Sequence, residues 1–143
     1  MMVAPVIIEE DFNAPIDKVW GAITDKKKMK HWYFDVSDFK AEPGFEFRFN
    51  GGNEEKTFVH LCKVIEAIPE KKLSYSWRFQ GYPGNSVLSF ELTPKGNKTH
   101  LKLTHQGIET FPDQPEFAKE NFVLGWNQII GSSLKNFLEN IAS

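Results

Sequence analysis

The 143-residue chain has a single cysteine, Cys62, so no disulfide can form within it. That fits a reducing compartment, and the cytoplasm is the expected location. Long apolar runs are missing, and none approaches the roughly 20 residues that a membrane-spanning helix needs. The first residues, Met1 to Ile8, lack a basic segment and run straight into Glu9, Glu10 and Asp11. No signal peptide is expected there. Basic charge is sparse and scattered: the net charge is −2, and the one dense run is Lys26-Lys27-Lys28. That run reads as a solvated helix start, and the broad basic stripe of a nucleic-acid binder is absent. There is no Gly-rich phosphate loop, no Gly-x-Ser-x-Gly elbow and no paired-carboxylate motif, so neither a nucleotide enzyme nor a hydrolase is expected. His60 and Cys62 share strand parity, but no third ligand stands at a recognisable spacing. A zinc site needs three or four ligands, so neither a metal nor a cofactor is expected.

What the chain does have is aromatic rings. Aromatics make up 14% of it, with thirteen Phe and four Trp. That is enough for a core and for the lining of a pocket. The length suits one domain, expected to span residues 1–143. Neither repeats nor low-complexity segments interrupt it.

The patterning predicts a strand over Val6 to Phe12. Asn13-Ala14-Pro15 then starts a short helix, with Asn13 as the expected cap. Ile16, Val19, Trp20 and Ile23 form its apolar stripe. A second short helix is expected from Asp25 to about Trp32. Six strands follow: a weak one over Phe34 to Phe39, then alternating segments around Phe45 to Phe49, Thr57 to Ala67, Leu73 to Phe79, Leu88 to Leu92 and Leu101 to His105. Asn50-Gly51-Gly52-Asn53 reads as a hairpin turn. A final helix, expected from about Gln114 to Asn140, carries one stripe through Phe122, Trp126, Ile129, Ser133 and Phe137. Ile130, Leu134, Leu138 and Ile141 widen that stripe.

The order is β-α-α-β6-α: an α+β antiparallel sheet of about seven strands covered by one long helix. Gly125 and Gly131 each cost about 1 kcal/mol relative to Ala inside a helix. Such glycines permit close packing, a bend, or a gap beneath the helix.

Several residues in this order resemble a known family. They are Ala14-Pro15 with Val19-Trp20, then Trp32, Tyr75 and Trp77, then Leu103-Thr104-His105 with Gly107, and finally Gly125-Trp126 ahead of Leu134 and Leu138. The set is similar to the START-like, birch-pollen-allergen-like (SRPBCC) superfamily, in the branch named after the activator of the heat-shock-protein-90 ATPase. One position departs from that branch, whose members often carry a basic residue where this chain has Glu10. The resemblance implies a helix-grip fold, in which the sheet wraps the last helix around a hydrophobic cavity. It implies a lipid-like or aromatic small molecule as partner. A chaperone is the alternative partner, and a cyclase-type enzyme is a third reading. Oligomeric state stays open between monomer and dimer.

Glu10 shares parity with Ile8 and Phe12, and His105 with Leu101 and Leu103. In a helix-grip fold the first and last strands are neighbours, so Glu10 and His105 could meet. They could form a structural pair, anchor a ligand or exchange a proton. Phe45, Phe47, Tyr75, Trp77, Phe90, Phe122 and Trp126 are expected on the covered face, with Ile129 on the helix beside them. Tyr75 and Trp77 are the first choices for pocket lining, because each joins an apolar body to a polar tip. The candidate ligand-binding set is these eight residues with Glu10 and His105, and no catalytic residue is assigned.

Overall fold

The computed structural model describes residues 4–52 and 56–141. Strand β1 (Val6–Phe12) leads to helices α1 (Ile16–Thr24) and α2 (Lys26–Trp32). Five strands follow: β2 (Glu46–Gly52), β3 (Thr57–Ile68), β4 (Lys72–Phe79), β5 (Ser86–Lys95) and β6 (Lys98–Gln106). They form one antiparallel sheet in the order β1-β6-β5-β4-β3-β2. The first and last strands are neighbours, as expected of a helix grip.

The sheet has six strands where seven were expected. Phe34 to Phe39 is irregular, because its polar side chains compete for the backbone groups a ladder would use. Asp38 Oδ1 accepts from the Phe39 N–H at 2.8 Å, and Ser37 Oγ accepts from Arg48 N–H at 3.1 Å. The apolar residues of this segment serve as plugs instead: Val36 and Phe39 are buried, and Phe39 meets Phe47 edge-on at 5.1 Å.

Two further expectations shift. Pro15 rather than Asn13 occupies the N-cap of α1, with no side-chain cap bond, and the Asn13 N–H is directed to Glu139. Asp25 does cap α2, accepting from Lys27 N–H at 2.9 Å. Asn50, Gly51 and Gly52 belong to β2 rather than to a turn, and Asn53 lies outside the described residues. The reason at Gly51 is steric: a Cβ there would stand 2.8 Å from the His60 ring. The glycine lets His60 lie flat against the strand.

The final helix is not continuous. A 3-10 turn (Pro115–Phe117) precedes α3 (Lys119–Gln128), a π-helical turn (Ile129–Leu134) and α4 (Lys135–Ile141). Trp126, Ile130, Leu134 and Leu138 are its fully buried residues, and Phe122, Ile129 and Phe137 are half-buried. The π turn explains how that first set stays aligned. A four-residue spacing overshoots the 3.6-residue α-helical turn by about 40° at each step. The wider π turn undershoots it and returns the stripe to the sheet.

The two helix glycines do different things. A Cβ at Gly131 would stand 3.6 Å from Glu10 Oε2, so this residue lets the helix approach β1. A Cβ at Gly125 would meet nothing within 4 Å. Gly125 therefore weakens α3 without a packing reason of its own. Gly125→Ala is expected to raise stability by about 1 kcal/mol. Urea unfolding checks this, and a lower midpoint would mean that the position is sterically closed.

Candidate functional site: an aromatic cavity under α3

Strands β3 and β4 run side by side with His60 opposite Phe79 and Cys62 opposite Trp77. Strict alternation sends all four inward. From the other side, the 3-10 turn contributes Phe117, and α3 contributes Asn121, Phe122 and Gly125. These groups border a cavity of about 400 Å³ that opens to solvent, and its wall includes Phe58, His60, Trp77, Phe79, Phe117, Phe122 and Gly125. A smaller apolar cavity of about 140 Å³ shares Trp77, Asn121, Phe122 and Gly125 with it, and adds Phe34, Trp126 and Ile129. Lys56 and Glu116 also border the larger cavity, 3.8 Å apart, and Lys56 lies over the Phe58 ring.

A larger depression of about 600 Å³ lies elsewhere. Its lining includes Glu46, Arg48, Leu61, Lys63, Ser76 and Arg78, which all point to the outer face of β2–β4. Most of its lining residues are polar or charged, and the strand residues among these lie on the solvent face of the sheet. Sites for small apolar molecules are concave, mostly apolar and carry few polar groups, so the inner cavity is the better candidate despite its smaller volume.

The sequence-predicted residues divide by location. Trp77, Phe122, Trp126 and Ile129 border the two inner cavities. Phe47, Tyr75 and Phe90 are buried in the core, and Phe45 packs half-buried against it. Phe47 also borders the outer depression. Tyr75 hydrogen-bonds Tyr33 hydroxyl to hydroxyl at 2.8 Å. Burial raises the pKa of both phenols.

Glu10 and His105 do not meet. In the β1–β6 ladder His105 pairs with Val6 and Glu10 with Leu101. Four strand positions separate them, roughly 13 Å along the sheet. Glu10 instead accepts from Lys135 Nζ at 3.1 Å.

His105 is wholly buried behind Trp77 and Trp126. Its partners define its tautomer. An indole N–H can only donate, and that of Trp126 points at His105 Nδ1 at 3.1 Å. Nδ1 is therefore bare, and Nε2 carries the proton and donates to Ser86 Oγ at 2.8 Å. The Ser86 hydroxyl then donates to the Trp77 carbonyl at 2.8 Å. A second proton on His105 would set two N–H groups against each other. Burial, helped by the neighbouring His60, pushes its pKa down to about 3. A general base needs a free nitrogen, and this imidazole has none.

His60 sits in a cage of Phe34, Phe49, Trp77 and Phe79 rings. Its Nδ1 donates to the Phe58 carbonyl at 3.1 Å. Burial pushes its pKa down to about 4. Burial also drives the Cys62 thiol well upward, away from the thiolate that metals and electrophiles require. Among the described residues no cluster of three His, Cys, Asp or Glu side chains could hold a metal ion. Also among them, no helix is long and apolar enough to cross a membrane.

The sequence reading missed Phe58, Phe79, Phe117 and Asn121 as cavity residues. Phe58 and Phe79 carried a signal, since both alternate in phase with inward residues of their strands. Phe117 carried none, because it lies in the 3-10 turn outside the helical period, and Asn121 carried none, because it is an exposed polar residue of α3.

An antiparallel sheet closed by a C-terminal helix over an aromatic cavity is the helix-grip architecture of the SRPBCC superfamily. Within it, residues 13–139 match the family model "Activator of Hsp90 ATPase homolog 1-like protein", and the chain belongs to that family. The mouse and human proteins named activator of 90 kDa heat shock protein ATPase homolog 1 are each 22% identical over 132 residues. That alignment spans 91% of this chain but 36% of theirs. Among solved structures, MLL2253 from Mesorhizobium loti is 27% identical with a TM-score of 0.79, covering 95% of this chain and 97% of its own. CV1439 from Chromobacterium violaceum is 21% identical with a TM-score of 0.81, covering 94% and 96%. DynU16, from the dynemicin biosynthetic locus, is 23% identical with a TM-score of 0.79, covering 96% of this chain and 48% of its own.

The histidines predict a pH dependence. Both folded pKa values lie below the free value of 6.5, so the unfolded chain binds more protons below that pH. Stability is then lost as pH falls from about 6.5 toward 4, by roughly 2 kcal/mol per histidine at pH 5. His100 acts the other way. It is hydrogen-bonded by Asp11 at 2.6 Å and Glu9 at 3.0 Å, and these carboxylates raise its pKa. Imidazole nitrogen NMR should find His60 and His105 neutral at pH 5, with the proton on Nδ1 of His60 and Nε2 of His105. A charged His105 at that pH would rule out the hydrogen-bond chain described here.

Proposed function

We propose that the chain is a binding protein for a lipid-like or aromatic small molecule, held in the cavity between the inner face of the sheet and α3. One observation carries this reading: the 400 Å³ cavity walled by Phe58, Trp77, Phe79, Phe117 and Phe122, where Gly125 leaves open space. That volume lies within the range of about 300–1,000 Å³ that small-molecule sites occupy. Membership of a helix-grip family supports the reading, although the fold by itself does not name a ligand. The absence of a free imidazole nitrogen on His105, and its distance from Glu10, favour binding over a cyclase-type reaction. The single buried thiol suits a reducing compartment, and we place the protein in the cytoplasm.

Native mass spectrometry of the protein as purified, before and after denaturation, tests this directly through any released mass. A second arm uses N-phenyl-1-naphthylamine, a neutral probe that brightens in apolar sites. The native chain is expected to bind it. Gly125→Leu, which places a side chain in the open space, is expected to fold normally and lose at least tenfold in affinity, about 1.4 kcal/mol. Unchanged binding in that variant would move the site elsewhere.

The family match supports a second reading, contact with a chaperone of the 90 kDa heat-shock class. This chain spans 36% of the length of the mouse and human relatives, so their activity is carried over only as a proposal. The ATPase rate of the purified chaperone should rise when the chain is added. An unaltered rate, with no complex by gel filtration, would remove this reading.

A further inference from the structure

One residue of the cavity wall has a fully buried polar atom without a hydrogen-bond partner. Among buried side-chain nitrogen and oxygen atoms of the described residues, the Trp77 indole nitrogen is the one without a hydrogen-bond partner. Two other indoles show what the fold normally arranges. Trp32 Nε1 donates to the Ala22 carbonyl at 2.8 Å, and Trp126 Nε1 donates to His105 at 3.1 Å. Trp77 is 4% exposed, and it borders both inner cavities. A buried donor left unmatched costs about 1–3 kcal/mol, and native folds rarely keep one without a use.

The rest of the wall limits what could match it. His60 Nδ1 already donates to a carbonyl, and both nearby imidazoles are held neutral by burial. The charged groups bordering the cavity, Lys56 and Glu116, face each other and are partly exposed. No fully buried charge stands ready to receive an ion, and a carboxylate given a single N–H donor would lose far more hydration than it regained. The surrounding rings of Phe58, Phe79, Phe117 and Phe122 favour a flat apolar body.

Resting on the binding function proposed above, we propose that the cavity selects a neutral aromatic molecule carrying one acceptor oxygen, such as a ketone, and that the Trp77 indole N–H donates to that oxygen. The nitrogen is buried, so the acceptor reaches it only as the wall yields. Gly125 places no side chain against this part of the wall, so the approach from the α3 side is open up to the rings.

Two probes of nearly the same shape separate the donor from the cavity: fluorene, and 9-fluorenone, which adds a carbonyl. Calorimetry on the native chain should give 9-fluorenone about three- to tenfold tighter binding than fluorene, the range of one net hydrogen bond. Trp77→Phe should still bind fluorene and lose the preference for 9-fluorenone. Fluorene-2-carboxylate should bind more weakly than fluorene. In the native chain, the assigned Trp77 indole N–H resonance should move downfield with 9-fluorenone and stay nearer its place with fluorene. This readout needs no variant, so it decides the matter even if Trp77→Phe fails to fold. Equal affinities with an unmoved indole signal would overturn the Trp77 anchor and leave cavity binding intact. If neither fluorene nor 9-fluorenone binds, the cavity reading falls and takes the anchor with it.

Discussion

One hydrogen-bond chain ties the helix to the sheet at the point where they would otherwise separate. It runs from the Trp126 indole through both nitrogens of His105 and the Ser86 hydroxyl to the Trp77 carbonyl. Each donor has one acceptor, and no group in the chain is charged. In one line it joins α3, β6, β5 and β4. A polar network this deep is stable only when every member is satisfied. The arrangement also fixes the Trp126 ring, and with it the angle at which α3 leaves the sheet. Gly125, directly before Trp126 in α3, borders the same cavities as the Trp77 and Phe122 rings and leaves open space there.

The helix itself records the same constraint. On a straight helix Trp126, Ile130, Leu134 and Leu138 would drift by about 120° around the axis, and the π turn reduces that drift. Below that turn the helix packs closely: Gly131 approaches Glu10, and Lys135 binds the Glu10 carboxylate. Before it, Trp126 of α3 is buried against Trp77 and His105, while Phe122 and Gly125 border the inner cavities. The Glu10–Lys135 pair belongs to the packed end, which is why Glu10 is remote from His105 despite lying on the neighbouring strand.

Family membership and this arrangement agree without being the same statement. The family match covers nearly the whole chain, and the fold is shared with proteins of low identity, which shows architecture alone. On the inner face of the sheet, burial holds the His60 and His105 imidazoles neutral and the Cys62 thiol protonated, and the Trp77 indole donor is unmatched.

Much of the architecture was legible in the sequence because it rests on periodicity. Alternation at Leu73-Tyr75-Trp77 and Leu101-Leu103-His105 determined which residues face inward, and the apolar stripe after Gly125 announced the covering helix. The irregular Phe34 to Phe39 segment was misread because its alternation is real, while Ser37 and Asp38 divert the backbone bonds a strand needs. The site was less legible. Parity places a side chain on a face but says nothing of its position along the strand, so Glu10 and His105 looked like partners until the register set them four residues apart. Gly51 looked like a turn, although its role is to admit the His60 ring. Phe117 and Asn121 had no periodic signature. By itself the sequence determined which faces are apolar, since that depends on local spacing. Register, the break in the last helix and the unmatched Trp77 donor were decided by the tertiary structure, because each depends on contacts between residues far apart in the chain.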